Sequence, residues 1–92
     1  MITARTNDGF EIELDDNLMD DAEMVENLFK AEKEGTAIFF MRDYLMSAED
    51  KKRLYDHLRN EKGVVPLSAL KQALNELMSS FAAGKNSASS PN

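Results

Sequence analysis

The sequence predicts a mainly α fold: an N-terminal β-hairpin followed by about four short helices packed as a small helical domain, with a disordered C-terminal tail. Three observations carry this. Apolar and polar residues alternate on either side of a turn in the first 15 residues. Apolar residues then recur at helical spacing between Gly and Pro breaks, from residue 20 to residue 82. From Gly84 onward no residue is large and apolar enough to anchor a chain. A chain of 92 residues holds one core. The expected division is therefore a single domain over 1–83 and a flexible tail over 84–92.

The hairpin occupies 1–15. Ile2-Thr3-Ala4-Arg5 and Phe10-Glu11-Ile12-Glu13-Leu14 alternate so that Phe10, Ile12 and Leu14 face inward while Glu11 and Glu13 face water. Thr6-Asn7-Asp8-Gly9 between them contains residues that tolerate positive φ, which tight hairpin turns need. A lone hairpin is marginal, so it has to lean on helices.

An acidic connector leads to a first helix over 20–34. Asp20 is its expected cap, with Glu23 three residues on in a capping-box arrangement. Ala22, Val25, Leu28 and Phe29 recur at helical spacing along it, and Gly35 is placed to end it. Thr36 then caps a second helix over 37–46. Its sequence, AIFFMRDYLM, has no continuous wet face and has to be largely covered. Ser47 caps a third helix over 48–60, with Glu49 and Asp50 in its first turn and Leu54, Tyr55 and Leu58 facing in. Gly63 and Pro66 make the next break. The last helix spans 66–82, where Leu67, Leu70, Leu74, Leu77 and Phe81 step by threes and fours.

The net charge of −6 is uneven. Residues 1–34 carry 11 acids and 3 bases, and residues 35–92 carry 6 acids and 8 bases. This argues against nucleic acid or an anionic membrane surface as a partner, because both need a basic footprint. No apolar run approaches the roughly 20 residues of a membrane span, and the N-terminus lacks the layout of a signal peptide. A cytoplasmic protein is expected. With no Cys, thiolate chemistry and disulfides are excluded.

The side chains offer no catalytic constellation. His57 is the lone imidazole and has no nucleophile partner, so it reads as a boundary residue. Ser47 reads as a helix cap. Asp15 to Glu26 has acids and an amide at some calcium-loop positions, but Met19 and Asp20 occupy places where a ligand and a glycine are needed. The four glycines are scattered singly, so no phosphate-cradling loop exists. No enzyme activity, cofactor or metal is expected.

Soft apolar material stands out instead. Six Met in 92 residues is a high content, and surfaces that receive varied apolar partners often use Met. A small core has few places to hide AIFFM, the third-helix stripe and the last-helix seam together. The apolar stripes nominate Phe39, Met41, Tyr44 and Leu45 on the second helix as partner-binding residues. On the last helix they nominate Leu70, Leu74, Leu77, Met78 and Phe81. Periodicity alone does not divide these stripes between core and interface, and a homo-oligomer is one way to cover them.

The order of features is also familiar. An acidic start (Phe10-Glu11-Ile12-Glu13-Leu14-Asp15-Asp16) leads to a Met- and acid-rich helix, then to a short apolar helix. Lys52-Arg53-Leu54-Tyr55-Asp56-His57-Leu58-Arg59-Asn60-Glu61-Lys62-Gly63-Val64-Val65-Pro66 follows, then a Leu-rich helix and a Gly-Lys-Asn-Ser tail. This layout, over roughly residues 10–91, resembles the small tail assembly chaperones of long-tailed bacteriophages and prophages. The resemblance implies a non-enzymatic protein that binds the tape measure protein, keeps it soluble and helps tail tube protein assemble around it. It also implies short and frameshift-extended forms, and Gly84-Lys85-Asn86 is compatible with a slippery codon run. A different reading is a small acidic regulatory protein, an inhibitor or nucleic-acid mimic, that occupies a basic site on another protein.

Overall fold

The computed structural model describes residues 1–88. Strands β1 (Ile2–Arg5) and β2 (Glu11–Leu14) pair antiparallel, with Ile2 opposite Leu14 and Arg5 opposite Glu11. In the turn, Thr6 N–H donates to the Phe10 carbonyl at 2.8 Å and Gly9 N–H to the Thr6 carbonyl at 3.1 Å. Gly9 sits at φ 98, a conformation that a Cβ would strain. Thr6 is the buried polar residue of the hairpin. Its hydroxyl donates to the Asp8 carboxylate and accepts from the Phe10 N–H at 3.0 Å. The alternation expected for the strands holds: Ile2, Ala4, Phe10, Ile12 and Leu14 are buried, while Glu11 and Glu13 are exposed.

Four helices follow: α1 (Ala22–Glu34), α2 (Ala37–Leu45), α3 (Ala48–Leu58) and α4 (Leu67–Ala88). Helix α1 starts two residues later than expected because Asp21, not Asp20, is the cap. Asp21 Oδ1 accepts from Met24 N–H at 3.1 Å. Gly35 closes α1 at φ 78, as expected. Thr36 does precede α2, but its side chain makes no cap bond; its hydroxyl turns back to the Ala31 carbonyl at 3.4 Å. Ser47 caps α3, accepting from Asp50 N–H at 3.1 Å. Helix α3 ends at Leu58, before the expected residue 60, because Asn60 is needed to build the turn. The Asn60 side chain accepts from Lys62 and Val64 N–H at 2.9 and 3.1 Å, and Gly63 adopts φ 78.

The largest departure is at the end of α4. Residues 84–88, expected as the start of a flexible tail, are helical; residues 89–92 of that tail lie outside the described residues. The reason is tertiary. A Cβ at Gly84 would come within 2.8 Å of the Ile2 side chain, so glycine lets α4 run close past β1. Lys85 Nζ then donates to the Asp16 carbonyl.

One core joins the inner face of the hairpin to Leu45, Met46, Leu54, Leu70, Ala73, Leu74, Leu77 and Phe81. Its main seam is β1 along α4, and α2 and α3 pack on α4 from other sides. Polar bonds line the edge of the seam: Arg5 N–H to Ser80 Oγ at 2.9 Å, and the Asn7 backbone and side-chain amides to the Glu76 carboxylate at 2.9 and 3.1 Å. Helix α1 packs chiefly on α2, so the two form a helical hairpin beside the core. No helix among the described residues is long and apolar enough to cross a membrane.

Candidate functional site

Burial divides the nominated residues. Leu45, Leu70, Leu74, Leu77 and Phe81 are core residues in the single chain. The seam of α4 is therefore internal, and a partner has no access to most of it. The hairpin explains this: Ile2, Ala4, Phe10, Ile12 and Leu14 present a five-residue apolar face that needs a helix stripe of matching length. Leu67, the first residue of the seam, lies beyond that face and is 50% exposed. Met41, Tyr44 and Met78 are half-buried and pack against the core from outside. Phe39 is 41% exposed.

Apart from the exposed Met1, Val64 and Leu67, two apolar surfaces stand out among the described residues. The first is on the α1–α2 hairpin. Phe29 is 60% exposed, whereas Met24 and Ala31 are buried. Two stripes run along α1, one through 22, 25 and 29 and one through 24, 28 and 31; α2 covers the second. On α2, the Phe40 and Tyr44 rings stack with centroids 6.1 Å apart. The Arg42 guanidinium lies 5.1 Å from the Phe39 ring centroid and 6.0 Å from that of Tyr55. Arg42 is held there by both carboxylate oxygens of Asp43, at 2.8 and 3.1 Å, and by donation to the Tyr55 hydroxyl at 2.8 Å. These contacts push the Arg42 pKa up and the Asp43 pKa down, with the hydrogen bond between the two as the largest cause. Phe39 is thus supported from one side while much of its ring stays in water.

The second surface is a groove of about 500 Å³ between the β2–α1 connector and the end of α4. Met19, Met78, Phe81 and Ala82 line it, with Asp16, Asp20 and Lys85 at its rim. The connector is held in place from three directions. The Met1 ammonium pairs with Asp16 at 2.7 Å, Lys85 reaches the Asp16 carbonyl, and the Tyr44 hydroxyl donates to the Leu18 carbonyl at 3.0 Å, with the Asp21 carboxylate 3.3 Å away. Burial, reinforced by the Asp21 carboxylate, pushes the Tyr44 hydroxyl pKa up.

His57 sits at the core boundary. Its Nε2 is 3.0 Å from Asp8 Oδ2, and its ring centroid is 5.5 Å from that of Phe10. It ties α3 to the hairpin turn. Among the described residues, no group of three or more His, Asp or Glu is gathered as a metal site.

No protein-family model, no curated protein and no solved structure matches the chain. Met78 and Phe81 of the groove and Phe39 of the helical hairpin were nominated by their spacing. Met19, Asp20 and Phe29 were not. Met19 and Asp20 lie in a connector with no periodicity to read, and Phe29 belongs to one of two α1 stripes that the sequence does not rank.

Proposed function

We propose that this protein is a small non-enzymatic assembly chaperone, a tail assembly chaperone of the long-tailed phage type. Its client is the apolar, helical tape measure protein, which it keeps soluble in the host cytoplasm while tail tube protein assembles. The observation that carries this reading is the pair of large rings, Phe29 and Phe39, left exposed on a helical hairpin that packs beside the core. Exposed rings on a helix-pair surface suit recognition of another helix, whose apolar face would otherwise aggregate. The resemblance of residues 10–91 to such chaperones points to the same class of client. The acidic exterior of residues 1–34 keeps a complex of two apolar surfaces in solution.

Co-expression with a fragment of a long helical tape measure protein tests this. The wild-type chain is expected to carry the fragment into the soluble fraction. Phe29→Asp with Phe39→Asp is expected to lose it while circular dichroism stays unchanged. A fragment that stays insoluble with the wild-type chain contradicts the reading. A complex that forms but dissolves steeply as salt rises supports the acidic-mimic reading instead.

A further inference from the structure

The geometry points to the groove beside α4 as the docking site for one amphipathic helix of the client that carries a Lys or Arg beside its apolar face. This inference rests on the client-binding reading and specifies its contact. The floor is soft: Met19 and Met78 flank Phe81, and Met side chains adapt to varied apolar shapes. Met78, Ala82 and Lys85 follow one another at i, i+4 and i+7 along α4, a helical ridge against which another helix packs. Ala82 in the middle is small, so the visiting backbone can approach closely.

The charge of the rim selects the occupant. The connector at 15–21 holds four Asp and no base. Three of them are engaged within the chain. Asp15 accepts from Asn17 N–H at 2.7 Å, Asp16 pairs with the Met1 ammonium, and Asp21 caps α1. The Asp20 carboxylate has no ion pair or side-chain hydrogen bond among the described residues, and it stands at the rim. Two cations face these carboxylates: the Met1 ammonium, and Lys85, which donates to the Asp16 carbonyl and keeps its charge. Four carboxylates against two cations leave a net charge of −2 next to an apolar floor, which a helix with adjacent apolar and basic residues complements. A second copy of the chain would bring the same acidic connector against this one, at a net charge of −6 each, and like charges face to face oppose binding.

The test uses the full chain and two synthetic helical peptides with the same Leu- and Phe-bearing face. One is flanked by Lys and the other by Glu. Fluorescence anisotropy is expected to show the Lys peptide binding roughly tenfold more tightly or better. Asp20→Lys is expected to remove that preference, and Met19→Asp to weaken both peptides. Both positions are exposed connector residues outside the α1 cap; should Asp20→Lys lose its fold, Asp20→Asn makes the same comparison. Equal binding of the two peptides, or a preference unchanged in the Asp20 variant, overturns the assignment. If the peptides behave as expected but a tape measure fragment is not held, the tail-assembly reading fails and the groove stands. If the fragment is held equally well by the Asp20 variant, the groove fails and the reading stands.

Discussion

Gly84→Ala sets two residue-scale effects against each other. Within a helix, alanine is favoured over glycine by about 1 kcal/mol. Here the new Cβ would lie 2.8 Å from Ile2 Cγ2, a methyl on a side chain that is stiff at χ1. Overpacking of this kind costs about 1–3 kcal/mol, so the contact outweighs the propensity. We expect Gly84→Ala to lower the urea midpoint; a raised midpoint would mean that α4 does not pass close to β1. Asp8 supports a second expectation. The Thr6 hydroxyl, and after it His57, hold its carboxyl below the usual carboxylate range. A depressed folded-state value stabilises the fold above the unfolded pKa, and that contribution fades as pH falls through the folded value. Asp8→Asn should therefore melt below wild type at neutral pH, and the two melting curves should converge in acid. Parallel curves across the whole range would remove Asp8 from the account.

At the scale of elements, the hairpin and helices were legible because each has its own local signal. Strand alternation, the Asn-Asp-Gly turn, Ser47 as a cap and Gly35 and Gly63 as breaks all act within a few residues. What was not legible depends on distant partners. Helix α4 continues to Ala88 because Gly84 meets Ile2 and Lys85 meets Asp16, contacts that span most of the chain. The stripe of α1 that faces inward depends on where α2 lies, so Phe29 could not be placed from spacing alone. Periodicity left the seam of α4 open between core and interface, and the hairpin that covers it makes it core. Since α1 rests chiefly on α2, its amides should exchange with solvent sooner than those of α4 near Leu74 and Leu77. Asp21→Ala should widen that gap, because losing the cap costs about 1 kcal/mol. Equal protection of α1 and α4 would show that the helical hairpin is not a separate layer.

The whole molecule is longer than a compact chain of its size. Its radius of gyration is 13.8 Å and its extents are 47 × 30 × 20 Å, against about 12 Å expected for the radius. A 22-residue α4 and a helical hairpin set beside the core account for the difference. This shape spreads a small domain over a large surface, which suits the proposed role of covering a helical client. It also separates the residues that hold the fold from the exposed rings proposed to meet a partner. Leu74, 2% exposed, belongs to the fold. Leu74→Ala should cost about 2–5 kcal/mol, and Leu74→Asp should unfold the chain rather than expose an interface. Phe29 and Phe39 belong to the surface, so their replacement by Asp should leave the melting transition in place. The most direct test is to co-express the chain with a fragment of a long helical tape measure protein and measure the soluble share of that fragment. The account expects the wild-type chain to hold the fragment in solution and the folded Phe29→Asp, Phe39→Asp variant to release it to the pellet. Equal solubility with both chains, or with neither, would contradict it.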